Sequence, residues 1–261
     1  MNPIKISIVT PSFNQGAYIE DAIRSVLEQG YEPFEHIIMD NCSTDDTLAI
    51  IARYPHVQLV SEPDKGQSDA LNKGFLRATG DVIGWLNADD FYLPGTFQRV
   101  NDTFQRQPAV DAVYANVKFI NQNGEHVRNL RSHRPLKWLS LFYTFIQSTS
   151  FFFRQEIIEA GHRIDEDLYF KMDKDFFAQL LYSGYKFKYV DAYFASFRWH
   201  DSNKSNLDQE AHRKSTLEGF RIFTRHAGLS WEPTPRNIRV YQFMNLYVAR
   251  PVRTLLKLLP I

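Results

Sequence analysis

Cysteine is almost absent from this chain of 261 residues, in which Cys42 is the only one. A single cysteine excludes an internal disulfide and any cysteine-rich zinc module. An excess of charge is absent too, because 30 Lys and Arg balance 30 Asp and Glu. Without a net positive field, nucleic acid is not an expected partner.

Long apolar runs are missing as well. No window approaches the roughly 18 uninterrupted apolar residues of a membrane-spanning helix. Met1 to Lys5 lead directly into a strand-like segment, without the basic region and apolar stretch of a secretory signal. We therefore expect a cytoplasmic protein.

Two common nucleotide-binding motifs are also missing. No Gly-x-Gly-x-x-Gly follows the first predicted strand, which disfavours a dinucleotide-binding fold. No Gly-x-x-x-x-Gly-Lys-Ser/Thr occurs, which disfavours a P-loop. If this chain binds a nucleotide, other residues must hold the phosphates.

The first half of the chain contains strands that alternate with helices. Strand patterns cover 4–9, 36–39, 57–60 and 82–86, and the clearest helical pattern covers 67–77. Such alternation predicts an α/β fold with a mostly parallel sheet. Strand ends of a parallel sheet gather at one edge. Thr10, Asp40 and the pair Asp89 and Asp90 are therefore expected to share a cleft.

The pair Asp89 and Asp90 follows the apolar run Val82 to Leu86 directly. Two carboxylates at a buried strand end are costly without a cation, and hard oxygen ligands suit Mg²⁺ or Mn²⁺. The alternative is a solvated turn that caps the next helix.

The second half of the chain has a different pattern. Asn123-Gly124 predicts a hairpin turn within 117–127. An aromatic strand is predicted over 148–153, and two further strands over 185–190 and 195–199. A helix is predicted to begin at Asp173, after a loop over 164–171 that could form an acceptor wall.

Six motifs occur in a fixed order along the chain. They are IVTPSFN at 8–14, MDNCSTD at 39–45, EPDKG at 62–66, ALNKG at 70–74, WLNADD at 85–90 and MDKDF at 172–176. Together they resemble the family 2 glycosyltransferases, which have the GT-A fold. The similarity extends over roughly residues 4–205 and is greatest to bacterial members that build O-antigen, capsule or exopolysaccharide.

The resemblance implies an activity and an organisation. A GT-A catalytic domain with a Rossmann-like, mostly parallel sheet flanked by helices would span 1–206, with a nucleotide half of about 1–115 and an acceptor half of about 116–206. A C-terminal helical extension would follow over 207–261. The implied reaction is an inverting transfer of a hexosyl or N-acetylhexosaminyl group from a nucleoside-diphosphate sugar, with UDP the favoured nucleotide. The implied acceptor is a hydroxyl of a saccharide or a lipid-linked molecule, and the implied cofactor is Mn²⁺ or Mg²⁺.

The resemblance also implies roles for particular residues. Nucleotide or donor contacts fall on Thr10, Pro11, Asn14, Asp40, Asn87, Ala88 and Asp89, and metal contacts on Asp89, Asp90 and His200. The family's metal motif usually begins with Asp, whereas this chain has Asn87. From their place in the chain, Lys65, Gln67 and Asp69 are further candidates for donor contact.

Asp173 falls on the family's catalytic-base position, and Asp175 is the alternate candidate. Each of these residues has a simpler explanation. Asp173 could only cap its helix, and Asp175 could only offset the helix dipole. His200 could be a surface histidine at a strand end, followed by a Ser- and Lys-rich loop over 201–206.

Two questions stay open from the sequence. Residues 231–261 contain five basic residues, one acid and many apolar residues, so they could lie in a membrane interface or pack on the catalytic domain. The membrane alternative would make the protein peripheral at the inner face of the cell membrane. The chain could also be a non-catalytic nucleotide-sugar binder or a partner subunit, which Asn87 favours and Asp89, Asp90 and Asp173 oppose.

Overall fold

The computed structural model of the protein describes residues 2–201, 203 and 208–258. Its strands are β1 (Ile6–Ser12), β2 (Phe34–Asp40), β3 (Val57–Ser61), β4 (Val82–Trp85), β5 (Phe91–Tyr92), β6 (Ala112–Asn121), β7 (His126–Leu130), β8 (Phe151–Arg154) and β9 (Phe187–Trp199). Its helices are α1 (Ile19–Leu27), α2 (Thr47–Ile51), α3 (Gln67–Arg77), α4 (Thr96–Arg106), α5 (Glu156–Glu159), α6 (Met172–Tyr182), α7 (Gln209–Ala227), α8 (Pro235–Met244) and α9 (Arg250–Leu258). Short 3₁₀ turns lie at Lys137–Leu141 and Ser148–Ser150, and a π-helical segment, Asn245–Ala249, joins α8 to α9.

One mixed sheet organises the chain in the order β3-β2-β1-β4-β8-β6-β9-β5, with β7 paired to β6. The pairs β1–β2, β2–β3, β1–β4 and β6–β9 are parallel, and they include the longest ladders. Antiparallel pairing enters through β8, β7 and β5. The α/β class and the mostly parallel sheet that the sequence predicts are therefore confirmed.

Helix α3 packs very closely on the first strand. A β-carbon added to Gly74 would come within 2.3 Å of Val9 Cγ1, so only glycine permits this approach. Ala70, Leu71 and Phe75 share one buried cluster with Val9. This packing holds α3 against β1 and β2, and Gln67 in its first turn bonds Asn87 in the turn that follows β4, where the candidate site lies.

The two strands predicted over 185–190 and 195–199 are one strand in the structure. The register of β9 against β6 shifts twice, since Ala115 pairs with Val190, Asn116 with Tyr193 and Val117 with Ala195. Such bulges break the alternation of inward and outward side chains on which a strand prediction depends. The predicted aromatic strand over 148–153 begins later, because Ser148–Ser150 form a 3₁₀ turn.

The C-terminal helices pack against the second half of the chain. Phe220, Phe223, Tyr241 and Ala249 form a buried cluster with Leu139, Leu141 and Phe142. Local capping sets where these helices begin: the Asp208 side chain accepts a hydrogen bond from Ala211 N–H, and Thr234 accepts one from Asn237 N–H ahead of Pro235. Within the described residues, every helix is too short or too polar to cross a bilayer.

Candidate active site

Asp90 is held inside the protein at the end of the turn that follows β4. Its carboxylate accepts hydrogen bonds from Asn87 Nδ2 at 3.0 Å, from Arg198 N–H at 2.9 Å and from the Thr149 hydroxyl. Burial, and after it the neighbouring Asp89, raise the pKa of Asp90 to about 8, although the three hydrogen bonds act in the opposite direction. Asp90 thus joins β4, β9 and the turn that precedes β8.

Asp89 is more accessible than its neighbour. Its side chain is 18% exposed, and Oδ2 lies 3.0 Å from His200 Nε2 and 3.3 Å from Asn203 Nδ2. His200 itself is buried and stacks on Tyr18, with ring centroids 4.8 Å apart. The structure therefore brings together Asp89 and His200, which are 111 residues apart in the chain.

Arg198 holds His200 and the Asp89 turn together, and the sequence motifs gave this residue no role. Its guanidinium donates to the Asp89 carbonyl at 3.0 Å and to the Gln122 carbonyl at 3.0 Å, and it pairs with Asp21 at 2.5 Å. It also lies over the Tyr18 ring. A buried arginine with these partners fixes the end of β9, and with it His200, against the Asp89 turn.

Asn87 has partners that an aspartate could not all satisfy. Its Oδ1 accepts from Trp85 Nε1 at 2.9 Å and from Gln67 Nε2 at 3.0 Å, and its Nδ2 donates to Asp90. A carboxylate at this position would lack the N–H donor that Asn87 supplies to Asp90. The departure from the usual family motif therefore matches a local need for a donor.

The residues expected to hold the base are largely covered. Thr10 is buried, and its hydroxyl contacts His36 Nε2 at 2.9 Å. Asp40 is 1% exposed and accepts from Ser43 N–H at 2.8 Å and from the Ser61 hydroxyl at 3.1 Å. Both side chains therefore organise the strand ends.

The loops above these strand ends are tied to each other. Asn14 is exposed, its N–H donates to Ser43 Oγ and its side chain accepts from Thr44 N–H. The Gly16 N–H donates to Asp45 Oδ2 at 2.9 Å. These contacts give the nucleotide half a rigid rim.

The remaining donor candidates differ in accessibility. Pro11 and Ala88 are buried, and Ala88 packs in a cluster with Ile19 and Ile38. Lys65 is 82% exposed beside Glu166, whereas Asp69 is held by the Lys65 N–H and by Lys73.

The first turn of α3 links the two halves of the site. Gln67 bonds Asn87, while the next residue, Ser68, contacts Met172 Sδ through its hydroxyl at 2.8 Å. Asp173 follows Met172 at the start of α6. The predicted metal motif and the predicted base helix therefore lie on either side of one helix turn.

Asp173 is partly exposed and has one hydrogen-bond partner among the described residues, the Lys174 N–H at 2.6 Å. Burial raises the pKa of this carboxyl, while Lys171 and Lys174 lower it. The Lys174 side chain is buried. Its ammonium group donates to the Leu141 carbonyl at 2.8 Å and to the Tyr241 hydroxyl at 3.3 Å. The start of α6 is thus fixed while the Asp173 side chain stays accessible.

Asp175 is in a different position. It is fully buried, and its carboxylate lies 2.9 Å from His226 Nε2 and 3.4 Å from Arg225 Nη1. Both partners belong to α7. Asp175 therefore ties α6 to the C-terminal helices.

Glu218 on α7 also supports this region, and no local sequence signal indicates it. Its carboxylate accepts three hydrogen bonds, from the N–H groups of Tyr169, Phe170 and Lys171 at 3.0, 2.9 and 2.9 Å. These residues lead directly into α6. The sequence motifs gave Thr149, Arg198 and Glu218 no role, because their partners are distant in the chain.

The chemistry of Asp89 and His200 fits a divalent cation. A carboxylate oxygen and an imidazole nitrogen 3.0 Å apart can both be ligands of Mn²⁺ or Mg²⁺. Within the described residues, no group of three or more His, Cys, Asp or Glu side chains is placed to hold a metal. Two protein ligands are sufficient where substrate phosphates complete the shell. The loop predicted over 201–206 lies outside the described residues except for 201 and 203.

Comparison with known proteins gives a family match. Residues 7–164 match the model of glycosyl transferase family 2. Among curated relatives, the putative teichuronic acid biosynthesis glycosyltransferase TuaG of Bacillus subtilis is 39% identical over 90 residues, which cover 33% of this chain and 36% of TuaG. Chondroitin synthase of Escherichia coli is 33% identical over 128 residues, 48% of this chain and 19% of the synthase. This chain therefore matches well under two thirds of the length of these relatives.

Solved structures show the same fold. The S. aureus TarS fragment 1–349 in complex with UDP superposes with a TM-score of 0.69 at 18% identity, covering 95% of this chain and 73% of that fragment. Mannosyltransferase PcManGT from Pyrobaculum calidifontis, in complex with GDP-Man and Mn²⁺, gives 0.64 at 17% identity, covering 98% and 74%. The GT-A fold implied by the sequence motifs is confirmed.

Proposed function

Because this chain belongs to glycosyl transferase family 2, we propose that it is an inverting glycosyltransferase. It takes a sugar from a UDP-sugar and transfers it to a hydroxyl of a saccharide or lipid-linked acceptor during cell-surface polysaccharide synthesis. One observation carries the proposal. The first turn of α3 contacts Asn87 through Gln67 and Met172 through Ser68, which supports placing the proposed cation-binding turn and the proposed base, Asp173, on either side of this helix turn.

Asp173 is the proposed general base. It takes the proton of the acceptor hydroxyl while the oxygen attacks the anomeric carbon opposite the leaving diphosphate, which inverts that carbon. Its raised pKa makes it a stronger proton acceptor than an ordinary carboxylate. Asp175 is unsuited to this task, because it is fully buried against His226 and Arg225.

Asp89 and His200 are the proposed holders of Mn²⁺ or Mg²⁺. When bound, the cation neutralises the charge that develops on the departing nucleoside diphosphate. Asp90 supports the proposed metal site without binding the cation, because its carboxylate accepts hydrogen bonds from Asn87, Thr149 and Arg198. Arg198 and Asn203 orient the turn and the histidine.

The nucleotide half is proposed to hold the uridine. Asn14 and Lys65 are exposed at its rim and available for contact, and Asp69 lies beside Lys65. Asp40 and Thr10 contribute indirectly, because their hydrogen bonds fix the strand ends to which this rim is attached. Support for uridine comes from TarS, which was solved with UDP and with UDP-GlcNAc; PcManGT with GDP-Man makes guanosine the competitor.

We further propose the division into a catalytic domain over 1–206 and an extension over 207–261, with the protein acting in the cytoplasm. The extension supports the acceptor half, because Glu218, Arg225 and His226 of α7 hold the start of α6.

The experiment is donor turnover. The purified chain is incubated with UDP-GlcNAc, UDP-Glc, UDP-Gal or GDP-Man plus Mn²⁺, and release of nucleoside diphosphate is measured with and without EDTA. We expect slow, EDTA-sensitive UDP release that Asp173→Asn reduces. Saturable UDP binding without release from any donor would instead support the non-catalytic binder.

A further inference from the structure

The C-terminal helices have a second apolar surface in addition to the one that packs on the protein. Ile238, Tyr241, Val252 and Leu256 recur at helical spacing and belong to the cluster that includes Leu139 and Phe142. This inner face accounts for the attachment of α8 and α9. It leaves unexplained why the opposite side also carries large apolar side chains.

The opposite side, here called the outer face, consists of Arg236, Arg239, Phe243, Leu246, Tyr247 and Arg250. Arg236, Arg239 and Phe243 are three and four residues apart on α8, which places them on one side of that helix. Leu246 and Tyr247 follow in the π-helical segment, and Arg250 begins α9. All six side chains are exposed, Phe243 to 59% and Tyr247 to 62%. The two rings lie 4.7 Å apart and form one aromatic patch.

The charge of this segment differs from that of the rest of the chain. Residues 235–258 contain five Lys and Arg and not one Asp or Glu. The rest of the chain therefore has 25 Lys and Arg against all 30 Asp and Glu, so it is acidic. A basic stripe on an otherwise acidic protein directs this one surface toward a negative partner.

We infer that the outer face docks on an anionic lipid membrane. Phe243, Leu246 and Tyr247 would enter the boundary between headgroups and acyl chains, and the arginines on either side would meet the lipid phosphates. Interfacial helices combine apolar and basic residues in this way. A face that mixes arginine with aromatic side chains fits this boundary, which is both charged and apolar, better than it fits a purely polar or a purely apolar partner.

The outer face takes no part in the proposed transfer reaction. The inference of membrane docking can therefore be refuted while the proposed function holds. The test uses the full chain and sedimentation with vesicles of phosphatidylcholine containing phosphatidylglycerol, or of phosphatidylcholine alone. We expect the protein to sediment with the anionic vesicles, to stay in solution with the neutral ones, and to be released as salt is raised.

Two variants test the chemistry of the face. Phe243→Ser with Tyr247→Ser, and separately Arg239→Glu with Arg250→Glu, should each reduce anionic-vesicle binding at least tenfold while UDP affinity and the melting temperature stay near wild type. Val127→Ser, exposed on β7, and Arg106→Glu, exposed on α4, are the matched controls and should bind as wild type does.

Three results would overturn the inference. One is equal sedimentation of the wild type with and without anionic vesicles. Another is wild-type binding by both double variants. The third is a wild type that does not bind vesicles but forms a concentration-dependent dimer in analytical ultracentrifugation. If the Phe243 and Tyr247 changes abolish that dimer, the outer face binds a second copy of the chain.

Discussion

The proposed donor and acceptor sides of the site each contain a pair of acids, and in each pair the two members differ in burial. On the donor side, Asp90 is buried in a hydrogen-bond network, while Asp89 faces His200. On the acceptor side, Asp175 is buried against α7, while Asp173 stays accessible. In both pairs one carboxylate is held by the surrounding structure, and its neighbour is the one that we propose to meet a ligand.

The pairs differ in where their support comes from. Asp90 is held by Asn87, Thr149 and Arg198, all from the sheet and its turns. Asp175 is held by Arg225 and His226 of α7, one of the C-terminal helices that follow the last strand of the sheet. The proposed donor side is thus held by the sheet and its turns, whereas the proposed acceptor side depends on the C-terminal helices.

The largest expected effect separates Asp173 from Asp175. Asp173→Asn keeps size and capping ability but cannot take a proton, so turnover should fall by about 10²–10⁴-fold while UDP affinity and melting temperature hold. Asp175→Asn should instead lower the melting temperature and largely preserve turnover per folded molecule. Steady-state kinetics with thermal unfolding of both variants checks this, and a greater loss of turnover at Asp175 would reverse the assignment.

The next effect separates Asp89 from Asp90. In Asp89→Ala, UDP affinity with Mn²⁺ should drop to the value that the wild type shows in EDTA, with little change in stability. Asp90→Ala leaves buried donors unpaired and should cost about 1–3 kcal/mol of unfolding free energy. Calorimetry and urea titration measure the two quantities; the opposite pattern would mean that Asp90 is the ligand.

The dependence of the acceptor side on α7 can be tested at Glu218. Glu218→Ala removes the acceptor of three backbone N–H groups before α6, so we expect a loss of about 1–3 kcal/mol and a several-fold lower turnover. UDP affinity should not change, because the donor side has its own supports. Glu210→Ala, an exposed change on the same helix, is the control. Weakened UDP binding in Glu218→Ala would show that the two sides are not independent.

The smallest effect concerns pH and the donor side. Burial lowers the pKa of His36, which lies against Thr10, to about 3. The folded protein keeps His36 neutral, whereas the unfolded chain binds a proton below about pH 6.5, so stability is lost as pH falls through that value. From pH 7 to 5 this amounts to about 2 kcal/mol.

Urea titrations at pH 7 and pH 5 measure that loss. His36→Asn should make it smaller, and the exposed change His126→Gln should not. Equal losses in wild type and His36→Asn would place the acid sensitivity elsewhere.

The sequence predicts the donor side better than the acceptor side. Strand ends such as Thr10, Asp40 and Asp89 follow from short apolar runs, and α3 occurs at its predicted bounds of 67–77. The sequence does not distinguish Asp89 from Asp90 or Asp173 from Asp175, because the deciding partners, such as Thr149, Arg198 and His226, are 51 to 108 residues away. Bulges also hide the continuity of β9, which carries His200 into place.

The most direct test of this division of roles is a crystal structure with UDP and Mn²⁺, with data collected at a wavelength where manganese scatters anomalously. We predict one anomalous peak within coordination distance of an Asp89 carboxylate oxygen and His200 Nε2, next to the diphosphate, with Asp90 still bonded to Asn87 and Arg198. A peak coordinated by Asp90 in place of Asp89, or bound UDP with no manganese at this position, would contradict it.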